Sequence, residues 1–397
     1  MSKCIVVGVS GGIAAYKAAQ LVSNLRKKNY EVHVIMTKNA TEFITPLTFE
    51  TLSNNRVSVD TFDRNFEYNV QHISLAKKAD CFVIAPATAN VIAKVVHGLA
   101  DDMLTTTFMA AKCAKIICPA MNTGMLENPV TQNNLALAKQ LGYTILESGE
   151  GYLACGDSGK GRLIELETIE AAIETALQTD YFLKGKKVLI SAGATQEALD
   201  PVRFITNHST GKMGYALAHQ AQLHGAEVTL IAGKNVNLKT PFGVNKITIR
   251  SAQEMFEAFK ENYQDNDIII KAAAVADYTP VEVAENKIKK SDGTMQLELK
   301  RTQDILAWLG EHKKENQFLC GFAMETENLI QNATEKLIKK NADMIVANSL
   351  NEKGAGFGTD TNRVTLLTKE KKEELSLLSK EEVAYSILKT IVKMQEN

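Results

Sequence analysis

The 397-residue chain has no apolar run long enough to cross a bilayer, which excludes a membrane-spanning helix. Met1 to Lys3 lead straight into the short apolar run Cys4–Val9. That run has neither the length nor the flanks of a secretory signal, so the cytoplasm is the expected compartment. Excess charge is also missing. The 45 Lys and Arg against 46 Asp and Glu leave a formal net charge of -1, too little positive charge for a long nucleic-acid footprint. Six cysteines are scattered without a CxxC pair. A chain of this size buries its own core, so they read as reduced thiols, not a disulfide framework. Neither nucleic acid nor membrane is expected as a partner.

Two familiar nucleotide motifs are missing as well. The first strand runs into Gly8-Val9-Ser10-Gly11-Gly12, which is not G-x-G-x-x-G. The second ends in Met36-Thr37-Lys38, with no acid to hold an adenosine ribose. An NAD-type dinucleotide is therefore disfavoured, and a mononucleotide such as FMN fits better. The alternative is a tight strand–helix turn with no ligand. Further on, Gly211-Lys212 invites a P-loop reading, but Thr206 stands where the earlier glycine belongs and Met213 replaces the Ser/Thr.

What is present is alternation. Hydrophobic residues make up 45% of the chain, and its length suits two domains. Cys4–Val9, Glu31–Met36, Ala79–Ala85 and Lys115–Cys118 read as buried strands, with helices over Ile13–Lys28, Ala89–Val96 and Leu104–Ala111 between them. A helix at Thr168–Leu177 closes this pattern, and Thr179–Gly185 is expected as a connector. The pattern then restarts with strands at Lys187–Ser191, Glu227–Ala232, Asp267–Lys271 and Asp343–Ala347 and a helix over Gly214–His224. Pro280–Leu299 reads as a loop with a hairpin, and Val364–Val392 as a strand and a terminal helix. The expected fold class is α/β: two doubly wound, Rossmann-like domains of similar plan in series, over 1–178 and 186–397.

In open α/β sheets the ligand crevice lies beyond the carboxyl ends of the strands. Ala85-Pro86-Ala87-Thr88-Ala89-Asn90 and Pro119-Ala120-Met121-Asn122 both follow strands, so Thr88, Asn90 and Asn122 should converge there. Thr88 and Asn90 also read as helix caps, whereas Asn122 has no evident helix to cap. His72, near a helix start, is structural or functional on position alone. Cys155 lies in Ala154-Cys155-Gly156-Asp157-Ser158-Gly159-Lys160-Gly161-Arg162. Its glycines point to a mobile flap, and a flap carrying a thiol and the Arg162 cation suits a lid over an anionic substrate. A plain surface loop is the alternative. The other cysteines lie in or beside apolar runs and read as core.

Ser10–Lys17, the His72 segment, Ala85–Asn90, Gly98–Asp102, Pro119–Asn122 and the Cys155 flap, taken in order, resemble the flavin-dependent cysteine decarboxylases of coenzyme A biosynthesis. The resemblance implies a flavodoxin-like flavoprotein in which Ser10, Gly11, Gly12, Thr37, Pro86, Thr88 and Asn90 bind FMN. It implies decarboxylation of 4'-phospho-N-pantothenoylcysteine to 4'-phosphopantetheine. The substrate's cysteine is oxidised to a thioaldehyde, CO2 leaves, and the enethiol is reduced. By the same resemblance His72 is an essential base-like residue, Asn122 holds the carboxylate, Cys155 protonates the enethiol, and Arg162 belongs to the substrate lid.

In the second half Ser191-Ala192-Gly193-Ala194-Thr195 is again a strand running into a glycine turn. The polar stretch Asp200–Gly214 runs onto a helix N-terminus, a natural anion site. Asp277 ends Lys271–Tyr278, where it could hold a magnesium ion or a ribose, or cap a turn. Asn286-Lys287-Ile288-Lys289-Lys290 is a solvated charge run or a polyphosphate neutraliser. Lys336 and Lys340 share one helix face. Ser191–Thr195, Arg203–Gly214, Ala273–Tyr278, Lys287–Lys290, Gly321–Thr326 and Gly356–Asn362 resemble the phosphopantothenate–cysteine ligases, with Met324 where many relatives carry alanine.

This resemblance implies that CTP and a divalent ion, Mg2+, activate 4'-phosphopantothenate as an acyl-cytidylate, which L-cysteine then attacks. It places Asn207 and Lys287 at the intermediate. It places Lys271, Ala272, Ala273, Asp277, Lys287, Gln303, Asp304, Ile305, Leu306, Phe322, Lys336 and Lys340 at CTP. Sequence physics alone does not choose CTP over ATP. The family further implies a homo-oligomer with trimeric first halves and dimeric second halves, building as far as a dodecamer. The competing readings are an NAD-linked dehydrogenase and a regulatory flavin-binding protein.

Overall fold

Short β-branched runs buried on both faces give parallel strands, and their ends place the crevices. A computed structural model describes the chain except residues 1, 63–69, 154, 155, 157, 290–293, 326, 327, 350–357 and 397. The expectations for Cys155 and Lys290 therefore lie outside the described residues. The chain divides into two units, Met1–Thr179 and Asp180–Asn397.

In the first unit β1 (Cys4–Val9), β2 (Glu31–Met36), β3 (Cys81–Ala87), β4 (Ala114–Pro119) and β5 (Thr144–Ile145) form one sheet in the order β2-β1-β3-β4-β5. Every pairing in it is parallel. Strand order reverses between β1 and β3, and at that switch point a crevice opens beyond the carboxyl ends. All residues of β1 and β3 are buried, which is why both read as unbroken apolar runs. Of the segment expected to be a mobile flap, Ser158–Arg162 forms β7, which pairs antiparallel with β6 (Gly149–Tyr152).

In the second unit the strands are β8 (Lys187–Ala192), β9 (Glu197–Ala198), β10 (Phe204–Ile205), β11 (Glu227–Gly233), β12 (Asn245–Ile249), β13 (Ile268–Lys271) and β14 (Tyr278–Pro280). They continue with β15 (Leu299–Arg301), β16 (Phe318–Glu325), β17 (Met344–Ser349), β18 (Thr361–Asn362), β19 (Val364–Thr368), β20 (Lys372–Glu374) and β21 (Leu378–Ser379). The large sheet runs β12-β11-β8-β13-β16-β17-β19-β20. It is parallel as far as β17, after which β19 and β20 pair antiparallel. Within β8, Val188 and Ile190 face one apolar core and Leu189 the other. That alternation covers the sheet on both faces.

The two units are both doubly wound but do not share a plan. The first has the flavodoxin-type order. The second, counted over its parallel strands, has the order associated with dinucleotide-binding folds. The expected connector is also part of the second unit's structure. Leu183 is fully buried there and donates its N–H to the His224 carbonyl at 3.0 Å. The Phe182 ring lies 4.4 Å from that of His224. The loop expected over Pro280–Leu299 is closed at its base by antiparallel β14 and β15.

Candidate functional sites

A cavity of about 950 Å³ opens at the switch point of the first unit, and Gly11, Gly12, Thr37, Thr88, Asn90, Asn122 and Arg162 all line it. Ser10 and Pro86, also expected at FMN, are not among the residues lining it. The buried Ser10 hydroxyl donates to the Pro86 carbonyl at 2.8 Å and accepts the Thr88 N–H at 2.9 Å, pinning the glycine turn to the end of β3. The helix Ala15–Lys27 begins without a side-chain cap. Its start is closed by backbone bonds, the Ala15 N–H donating to the Gly12 carbonyl at 2.9 Å and the Lys17 N–H to the Ala14 carbonyl at 3.0 Å. Thr88 has both expected roles: it lines the cavity and its hydroxyl accepts the Val91 N–H at 3.5 Å.

The expectation that Asn122 caps no helix is corrected by the structure. Asn122 caps the short helix Thr123–Glu127, its side-chain oxygen accepting the Gly124 N–H at 2.9 Å. It lines the cavity all the same. The hairpin lies flush against this turn. The Met121 N–H donates to the Gly161 carbonyl at 2.9 Å, and Thr123 Oγ1 donates to the Lys160 carbonyl at 2.8 Å. Gly161 has φ +138°, and a Cβ there would come within 2.1 Å of the Met121 carbonyl oxygen. Only glycine fits this contact.

His72 lies partly buried in the helix Gln71–Lys78 and is not among the residues lining this cavity. Lys94, which sequence reasoning passed over, does line it. Asp101 accepts from Lys94 at 2.7 and 2.9 Å, and this partner raises the lysine's pKa.

In the second unit two cavities meet along the carboxyl edge of the sheet. The first, of about 230 Å³, is bounded by Ser209–Gly214, by Lys271 to Val275, and by Phe322 and Met324 of β16. The second, of about 380 Å³, is bounded by Arg301 to Leu306 and Lys340. Lys271, Val275, Asp277 and Lys336 belong to both. Thus every residue expected around the nucleotide, Lys287 excepted, lines one or the other. Asp304 caps the helix Ile305–His312 and holds Lys340 at 2.5 Å. Lys336 donates to the Phe322 carbonyl at 2.9 Å. Burial lowers the Lys271 pKa from 10.5 to about 8; the Lys336 charge lowers it further, while Asp304 and Asp277 oppose the fall.

Asn207 is not among the residues lining either cavity. Its amide donates to the Ala274 carbonyl at 3.0 Å and its oxygen accepts the Ser209 N–H at 3.0 Å. Lys287 is exposed and lines neither cavity. The backbone N–H of its neighbour Ile288 is tied to Asp200 at 3.1 Å. Gly214 lets the helix Lys212–Leu223 meet β8, since a Cβ there would lie 2.6 Å from that of Ala192 and 2.7 Å from the Ser191 carbonyl.

Residues 1–178 match the family described as Flavoprotein, and residues 183–394 match the DNA/pantothenate metabolism flavoprotein C-terminal domain. The coenzyme A biosynthesis bifunctional protein CoaBC of Bacillus subtilis is 50% identical over 99% of this chain and 97% of its own length. That of Haemophilus influenzae is 45% identical over 98% of this chain and 97% of its own. The chain belongs to the bifunctional coenzyme A biosynthesis protein family. It is accordingly an enzyme with a decarboxylase half and a ligase half. A solved C-terminal domain of a CoaBC protein is 48% identical, covers 54% of this chain and 98% of that one, and has a TM-score of 0.47.

Among the residues of the ligase cavities, Asp277 is the carboxylate expected to hold a divalent ion. Asp277 faces both of them, and its carboxylate makes no hydrogen bond or ion pair among the described residues. One open carboxylate beside a polyphosphate suits Mg2+, which is commonly held by one or two carboxylates, phosphate oxygens and water. The described residues contain one three-donor cluster, Cys4, Glu31 and His33. It lies at the amino end of β1 and β2, away from the flavoprotein cavity. The Lys78 ammonium contacts Glu31 and stands 3.3 Å from His33 Nε2, so a protein cation already fills the position. No helix among the described residues is long and apolar enough to cross a membrane.

Proposed function

We propose that the first unit holds FMN and converts 4'-phospho-N-pantothenoylcysteine to 4'-phosphopantetheine. In the second unit CTP and Mg2+ join L-cysteine to 4'-phosphopantothenate through an acyl-cytidylate. The observation that carries the reading is the convergence of the expected residues from separate strand ends onto one cavity in the first unit and onto two adjoining cavities in the second. The cytoplasm is the proposed compartment.

The glycine turn Gly11–Gly12, the uncapped helix start behind it and Thr37 fit a flavin phosphate. The hydrogen bonds joining Ser10 to Pro86 and Thr88 pin that turn to the end of β3. Bound there, the flavin supplies a two-electron acceptor and donor. Asn122 presents an amide to the substrate carboxylate, and Arg162 on β7 offers a cation from the hairpin above it. The hairpin excludes water and carries Cys155, the proposed proton donor. His72, outside the cavity of a single chain, acts in this reading at the cavity of a neighbouring copy. That supports a trimer of first units.

In the ligase half, Lys271 and Lys336 would neutralise the nucleotide phosphates and Asp277 would hold the divalent ion. Asn207 orients the acyl-cytidylate. Lys287 reaches the departing pyrophosphate when its loop folds over the nucleotide. Dimeric second units together with trimeric first units lead to a closed assembly as large as a dodecamer.

The test is incubation of the full chain with 4'-phosphopantothenate, cysteine, CTP and Mg2+, with products followed by mass. Phosphopantothenoylcysteine and then phosphopantetheine are expected, with CMP and pyrophosphate. Failure to form either product overturns the reading, and equal turnover with ATP overturns the choice of CTP. Cys155→Ser should still release CO2 but give a product two hydrogens lighter. Unchanged reduced product from that variant removes Cys155 from the mechanism.

A further inference from the structure

Both residues placed at the acyl-cytidylate, Asn207 and Lys287, lie outside the lining of the ligase cavities, so their positions depend on what holds their backbone. One short hairpin meets both. β9 and β10 pair antiparallel, with Ala198 opposite Phe204 and Glu197 opposite Ile205. At the base of this hairpin the buried Glu197 accepts the Ala252 N–H at 2.9 Å, and Thr206 donates to the Thr195 carbonyl at 2.7 Å. Asn207 follows directly. At the tip, Asp200 begins the turn Asp200-Pro201-Val202-Arg203, and its side chain is fully buried.

The two carboxylate oxygens of Asp200 face different partners. Oδ1 accepts the N–H groups of Val202 and Arg203, both at 2.8 Å, and so closes its own turn. Oδ2 accepts the Ile288 N–H at 3.1 Å, 88 residues along the chain. Beside it the Leu199 carbonyl accepts the Ala284 N–H at 3.0 Å. Residues 284–288 are thereby clasped at both ends against the tip, with the exposed Lys287 inside the clasp. Closing a local turn needs one acceptor, which asparagine supplies without burying a charge. A carboxylate brings a second acceptor, and here it goes to the distant segment. Burial by itself would raise the Asp200 pKa. The three N–H groups and the Arg203 guanidinium 3.7 Å away lower it on balance, so the charge persists at neutral pH.

We propose that Asp200 is a positioning residue of the ligase half: one buried carboxylate clasps the segment bearing Lys287 to the tip of the hairpin whose base carries Asn207. The role rests on the ligase reading and on the part of Lys287 in it. Asp200 lines neither cavity, so it acts through Lys287 and not on the substrates. Lys287 has to swing inward to meet a departing pyrophosphate. A backbone fixed at Ala284 and Ile288 gives that swing a pivot and leaves fewer positions to be lost on closing. The same hairpin then sets the distance between the residue that orients the acyl-cytidylate and the cation that meets its leaving group.

The experiment uses the full chain with Asp200→Asn, Asp200→Ser, Lys287→Gln and the double change Asp200→Asn with Lys287→Gln. Asparagine keeps the Oδ1 turn but sets an NH2 group against the Ile288 N–H, donor against donor. Pyrophosphate release from CTP and 4'-phosphopantothenate gives kcat and KM. Asp200→Asn should lower kcat about tenfold and move KM for CTP by less than about twofold. Asp200→Ser, which lacks the second oxygen, should do the same. In the Lys287→Gln background Asp200→Asn should cause no further fall. Amide hydrogen exchange, read without turnover, should quicken about fivefold or more at residues 284–288 in both Asp200 variants. Unchanged exchange over β8 and β13 and an unchanged calorimetric affinity for CTP check that the second unit is folded. An equal fall in kcat in both backgrounds overturns the inference, since Asp200 would then serve only its own turn. So does wild-type exchange at residues 284–288 in Asp200→Asn. A wild-type chain that releases no CTP-dependent pyrophosphate overturns the ligase reading, and full release by Lys287→Gln overturns the part of Lys287 in it. In either case exchange still decides whether Asp200 is the clasp.

Discussion

At the scale of single residues, Lys271 joins burial to function. It lies at the end of β13, shared by both ligase cavities, with a pKa near 8 in place of 10.5. Below about pH 8 it is charged and can hold a phosphate; above that it is neutral. KM for CTP should therefore rise as pH passes from about 7 to about 9. Lys271→Arg, which stays charged throughout, should flatten that rise in a pH series of initial rates. Stability runs the other way. The unfolded chain binds the extra proton between about pH 8 and 10.5, so the free enzyme gains stability from this group as pH climbs through that window.

At the scale of elements, the hairpin of β6 and β7 is the part most exposed to a small change. It is laid on the Asn122 turn through Gly161, where a Cβ would meet a backbone carbonyl that cannot yield. Gly161→Ala should lift β7 from that turn and lower decarboxylation by about tenfold or more. Ligation in the same molecule should be unaffected, which a paired assay of both products checks. The sequence showed glycine spacing here and read mobility. The described part of the flap, Ser158–Arg162, is strand-paired, because glycine also permits the close approach that lets one backbone seat on another. Helix capping was misread at Asn122 for a related reason: the helix it caps has five residues, too short to leave a periodic signal.

At the scale of the whole molecule, each unit has its own core and its own sheet. Residues 180–186 side with the second. A chain cut between Thr179 and Asp180 should give two fragments, with decarboxylation in the first and ligation in the second, each with its own unfolding transition by calorimetry. A second fragment beginning at Lys187 forfeits Leu183 and Phe182. It should lose about 2–5 kcal/mol in denaturant titration, the usual cost of emptying a buried apolar position. Equal stability of the two second-unit fragments would restore Thr179–Gly185 to the status of a connector.

The sequence by itself determined the strands, because buried parallel strands must be apolar, and the turns that follow them, because glycine and small residues have few other uses there. It determined the family through ordered motifs such as Ser10–Lys17 and Ala85–Asn90. Tertiary structure alone decided that the two sheets have different strand orders, since periodicity carries no record of which strand lies beside which. It alone joined Lys212, Asn348 and Lys380 around one cavity. Those residues are far apart in the chain, and each by itself reads as an ordinary surface or cap position; only the closing of the sheet puts their charges and their one unpaired oxygen against the same space.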